Sequence, residues 1–175
     1  MGKMHAWNSS DLEPEIMRLK DKVALVVGAG QAPGDTIGNG RATSIVFARE
    51  GAKVVAVDRD LASAEETAAM IQAEGGAAEA VAVDITDEAS IQTMVKHCTG
   101  LWGRIDVLHN NVGVSIAGGD AEITEITSEA FDRVVSINLK GMVLTCKHVI
   151  PVMREQQSGS IVSISSIAAW NAYPL

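Results

Sequence analysis

The chain has 175 residues, 47% hydrophobic but only 3% aromatic, and 22 acidic against 14 basic side chains give a formal net charge of −8. That length suits one domain with a sizeable core, and an acidic chain with no basic patch argues against nucleic acid as a partner. No apolar run reaches the roughly 18 residues of a membrane span, residues 1–20 lack a signal-peptide core, and isolated Cys98 and Cys146 read as reduced thiols, so a cytoplasmic protein without membrane association is expected.

In chain order, residues 1–20 are mixed and polar and read as an N-terminal arm, followed by one domain over residues 21–175. Residues 23–27 are five apolar residues in a row, the pattern of a strand covered on both faces. A turn with Gly28, Gly30, Gly34, Gly38 and Gly40 follows, then a helix from Arg41 to Glu50 that stops at Gly51. Residues 53–57 form a second apolar strand with Asp58 at its carboxyl end. Asp60 suits the N-cap of a helix in which Leu61, Ala64, Ala68 and Ile71 recur at helical spacing, and Gly75-Gly76 ends it. A third strand over 78–83 runs to Asp84. Thr86 is expected to cap the next helix, whose Ile91, Met94, Val95 and Cys98 share a face. A turn at 100–104 leads to a fourth strand over 105–109 and a polar loop over 110–119. A long helix then starts at Thr127 and runs towards Arg154, and a fifth strand over 160–164 precedes Ser165-Ser166. His5, His97, His109 and His148 show no metal-ligand spacing.

Five strands alternating with four helices imply an α/β fold: a doubly wound, Rossmann-like parallel sheet. Ligands of such sheets lie beyond the carboxyl ends of the strands, where Gly28, Asp58, Asp84, Asn110-Asn111 and Ser165-Ser166 collect. The first strand–helix–strand unit has the parts of a dinucleotide site. Glycines let a diphosphate approach backbone N–H groups, and the positive end of the helix holds the anion. An acid ending the second strand accepts hydrogen bonds from both ribose hydroxyls and repels a 2′-phosphate. Asp58 therefore favours NAD over NADP, a preference softened by Arg59. A strict G-x-G-x-x-G from Gly28 would need glycine where Pro33 stands. The glycines alone are equally compatible with a plain turn; strand, helix and acid together favour the dinucleotide.

These residues resemble the short-chain dehydrogenase/reductase family from about residue 19 onward. Its motif T-G-x-x-x-G-x-G is similar to Gly28 plus Gly38-Asn39-Gly40, with Val27 in place of the threonine and six extra residues between the first two glycines. Asp84-Ile85 resembles the pair that packs and hydrogen-bonds the adenine. Asn110-Asn111-Val112-Gly113 resembles the N-N-A-G motif, which places Asn111 and Gly113 at the cofactor's border. Asn138 corresponds to the active-site asparagine of the long helix, where it bends the helix and holds a water of the proton relay. Ser166 corresponds to the catalytic serine, with Ser165 as the alternative.

The resemblance implies hydride transfer between NAD and a small alcohol or carbonyl compound. The serine holds the substrate oxygen, and a tyrosine exchanges the proton after a lysine lowers its pKa from the usual ~10. The family's Tyr-x-x-x-Lys has no counterpart. The single tyrosine, Tyr173, comes too soon after Ser166 and has no lysine behind it. The expectation is thus the N-terminal portion of an NAD-dependent oxidoreductase, inactive alone. The other reading is a non-catalytic NAD-binding sensor or interaction module. The long helix is apolar around more than one face, which predicts a homo-oligomer.

Overall fold

The structure, a computed structural model, describes residues 17–32 and 34–167. Most of the expected arm, Pro33 and Tyr173 lie outside these residues. The strands are β1 (Val23–Val27), β2 (Lys53–Asp58), β3 (Ala78–Ala82), β4 (Val107–Asn110) and β5 (Ser160–Ser163). All pair in parallel in the order β3-β2-β1-β4-β5. The chain starts at the centre, winds out to β3, then returns past β1 to β4 and β5. The winding reverses between β1 and β4.

Helices make the connections, as parallel neighbours require. They are α1 (Asn39–Arg49), α2 (Leu61–Ala73), α3 (Glu88–Trp102), α4 (Ser128–Val135) and α5 (Gly141–Glu155). Alternate strand residues serve opposite layers. Val23, Leu25, Val27, Val55 and Leu108 pack with Ile91 and Met94 of α3 and Val149 of α5. Ala24, Val26, Val54 and Ala56 pack with Ile45 of α1 and Ala68 and Ile71 of α2. Burial on both faces is why β1 and residues 54–57 of β2 are uninterrupted apolar runs. Side chains such as Leu25, Ile91 and Leu108, fully buried, each contribute about 1.5–3 kcal/mol. β5 is exposed along its length.

Several expected boundaries differ by a residue or two, and at two of them the cause is visible. The cap of α3 is Asp87, whose Oδ1 accepts from Ala89 N at 3.1 Å. Thr86 instead gives its hydroxyl to Asp84 Oδ1 at 2.7 Å, so a local turn claims the expected cap. β4 begins at Val107 because Ile105 is bonded elsewhere: Gln156 accepts its N–H at 2.8 Å and donates to its carbonyl at 2.9 Å. The long helix starts at its expected cap, Thr127, but Ser136–Lys140 forms a π-helical turn between α4 and α5.

Candidate active site

The carboxyl ends of β1, β2 and β4 and the loop after β3 surround a cleft of about 810 Å³, lying where the sheet order reverses. Its floor is the turn after β1. Gly28 and Ala29 both donate their N–H to Val57 O at 2.8 Å, which holds the turn against β2. Gly28 has φ +89, and a Cβ on Gly40 would overlap the Gly28 carbonyl oxygen. A side chain at either position would disrupt the approach of α1 to β1. Asn111 Nδ2 donates to the same carbonyl at 3.0 Å. Gly38 is the extended N-cap of α1, without a side-chain cap and with no acid in the first turn. The N–H groups of Asn39, Gly40 and Arg41 thus have no partner within the helix, which is the arrangement that accepts an anion.

The described residues between Gly30 and Gly38 are braced by one side chain. Gln31 accepts the Gly38 N–H through Oε1, donates through Nε2 to the carbonyls of Ala32 and Thr36, and gives its own N–H to Ser63 Oγ. Beneath it Arg41, 7% exposed, bonds Thr67 Oγ1 at 2.9 Å, the Ser63 carbonyl at 3.1 Å and Glu66 Oε2 at 2.9 Å. Thr67 donates onward to Ala29 O at 2.8 Å. The buried guanidinium is thereby paired with the Glu66 carboxylate and two further acceptors, as burial of a charge demands. Gln31, Arg41, Ser63 and Thr67 were not among the expected site residues.

Asp58 faces the cleft from the end of β2. Its Oδ2 accepts from Gly30 N at 2.9 Å and its Oδ1 from Asp60 N at 3.1 Å. A carboxylate has about four acceptor sites, so capacity remains on both oxygens. Asp84 accepts from Thr86 N and Oγ1. Those bonds, with Arg59 nearby, hold its carboxyl below the usual range. Apolar Val57, Val83 and Ile85 line the same end.

All ten expected cofactor residues (Gly28, Gly38, Asn39, Gly40, Asp58, Arg59, Asp84, Ile85, Asn111 and Gly113) line this one cleft. Asn138 and Ser166 do not line it. Asn138 sits in the π turn, with Oδ1 accepting from Val114 N and Nδ2 donating to Val114 O, both at 2.8 Å. Its side chain fastens the loop after β4, whose Val112, Gly113 and Val114 border the cleft. Ser165 and Ser166 follow β5 at the same end of the sheet. Among the described residues, no group of three His, Cys, Asp or Glu side chains is placed to hold a metal ion.

The family profile described as short chain dehydrogenase matches residues 22–175. The chain belongs to the short-chain dehydrogenase family. It is similar to the 3-oxoacyl-[acyl-carrier-protein] reductase of Thermotoga maritima, with 38% identity over 154 residues that cover 86% of this chain and 58% of that protein. Among solved structures, a short-chain dehydrogenase/reductase from Burkholderia xenovorans superposes with a TM-score of 0.82 at 41% identity, covering 88% of this chain and 60% of the other. A 7 alpha-hydroxysteroid dehydrogenase complexed with NADH and 7-oxo glycochenodeoxycholic acid does so with 0.81 at 30% identity, covering 96% and 60%. The chain spans about three fifths of the length of these short-chain dehydrogenases.

Proposed function

We propose that residues 21–175 form the dinucleotide-binding part of an NAD-dependent oxidoreductase that interconverts a small alcohol and a carbonyl compound. The observation that carries this reading is the opening of the α1 N-terminus and the Asp58 carboxylate onto one cleft. Asn39, Gly40 and Arg41 N–H groups would hold the diphosphate. Asp58, held in place by Gly30 and Asp60, would take the adenosine ribose hydroxyls. Asp84, Ile85 and Arg59 would flank the adenine, with Asn111 and Gly113 bordering the far half. NAD, when bound, supplies the hydride acceptor. Ser166 would hold the substrate oxygen, and Asn138 keeps the loop after β4 in place.

Asp58 decides between the two nicotinamide cofactors, because a 2′-phosphate beside this carboxylate meets a like charge. Calorimetric titration should find NAD at least about tenfold tighter than NADP, a difference of roughly 1.4 kcal/mol. Asp58→Ser should weaken NAD and narrow that gap; a chain that prefers NADP contradicts the assignment. The 175-residue chain holds no Tyr-x-x-x-Lys, and loss of a general acid–base costs about 10²–10⁴-fold. No alcohol-dependent NADH formation is expected from protein of this confirmed mass, and a measurable rate would refute that.

A homo-oligomer is part of the same proposal, supported by an exposed apolar stripe on the long helix. No helix of the described residues is long and apolar enough to cross a membrane. A cytoplasmic setting accords with Cys98 and Cys146 being free thiols.

A further inference from the structure

One side chain closes the loop that separates Gly28 from the start of α1. Gln31 Nε2 reaches both the Ala32 carbonyl at 2.7 Å and the Thr36 carbonyl at 2.8 Å. Its Oε1 takes the Gly38 N–H, and its backbone N–H is anchored on Ser63 Oγ at 2.6 Å. Both hydrogens of the amide and its oxygen are thus committed within the loop. Ser63 belongs to α2, and its carbonyl and Thr67 are held by the buried Arg41 guanidinium. The neck of the loop is therefore pinned to a rigid base, while Asp35, Thr36 and Ile37 are exposed.

The pinned residue matters because Gly38 is the N-cap of α1. Its extended backbone sets the direction in which the next three N–H groups point. Six extra residues in the connection add chain freedom that must be lost whenever an anion is gripped. A clasp that orders them in advance removes that cost from the binding step.

We propose that Gln31 is a positioning residue for the cofactor diphosphate: its side-chain amide clasps the inserted loop and so presents the first turn of α1 to the anion. The proposal rests on the dinucleotide reading above. Gln31 acts through Gly38, so its loss should be felt by ligands that carry phosphate and little by those that do not.

The test compares the full chain with Gln31→Met, which keeps the length of the side chain but makes none of its bonds, and with Gln31→Ala. ADP is titrated by calorimetry and adenosine by ligand-observed NMR. Both variants should bind ADP at least about tenfold more weakly while adenosine changes by less than about twofold. Unchanged ADP affinity, or equal losses for ADP and adenosine, overturns the clasp and leaves the dinucleotide reading standing. If the unsubstituted chain binds neither ADP nor NAD, the dinucleotide reading itself falls and the clasp goes with it.

Discussion

His109 is buried in β4 to 5% exposure, and among the described residues neither ring nitrogen has a hydrogen-bond partner. Its contact is the edge of Phe47, with ring centroids 6.1 Å apart. Burial pushes the imidazole's pKa below its usual value, so the folded state holds the ring neutral more firmly than the unfolded chain does. Stability from this group is complete above the unfolded value of about 6.5 and is lost as pH falls through the lower folded value. An orphaned buried polar group costs about 1–3 kcal/mol, and the aromatic contact returns roughly 0.5–1.5 kcal/mol. His109→Leu should therefore stabilise by about 1 kcal/mol, a rise of roughly 2–4 °C in Tm at this size. It should also flatten the loss of stability between pH 6.5 and 5, read by thermal melts at both pH values. A lower Tm for the variant would show that the ring is better accommodated than its contacts indicate. Asp106 illustrates the opposite solution. Burial pushes its carboxyl up, but Arg104, the Val23 N–H and Lys22 outweigh that and hold it low.

The long helix shows what separates an element's pattern from its surroundings. Val149 and Met153 are buried against the sheet, while Phe131, Val135, Leu139 and Val143 stand 36–59% exposed at four-residue intervals. Such a stripe favours self-association. The chain should sediment as a dimer or larger, and Phe131→Lys with Leu139→Glu should shift it to monomer by light scattering; a monomeric unsubstituted chain contradicts the reading. The elements themselves were legible because apolar runs, glycine stops and the Asp60 and Thr127 caps are local signals. A bend at Asn138 is what the family resemblance implies, but its form, a π turn over Ser136–Lys140, was not legible, since what accompanies it is a pairing of Asn138 with Val114, 24 residues away. Adjacent Thr86 and Asp87 are both competent caps, and only the turn around Asp84 decides between them. The Gln31–Ser63–Arg41–Thr67 network was invisible for the same reason. Its bonds join α1, α2 and a loop across 22 to 38 residues, and none of its members has a spacing that marks it.

At the scale of the molecule, a parallel sheet that reverses its winding beside β1 leaves a crevice there. Every motif read at a strand end between Gly28 and Gly113 contributes residues to its lining. That convergence was legible because the strand–helix alternation dictates which loops share an end of the sheet. The serines after β5 reach the same end without lining the cleft, and Tyr173 falls outside the described residues. Hydrogen–deuterium exchange of the 175-residue chain with and without saturating NAD shows whether this crevice is where the dinucleotide sits. New protection is expected in residues 28–31, 38–41, 58–60, 84–86 and 111–114, with the α3–α5 layer unchanged. Protection confined to other segments, or none at an NAD concentration that saturates binding, would contradict it.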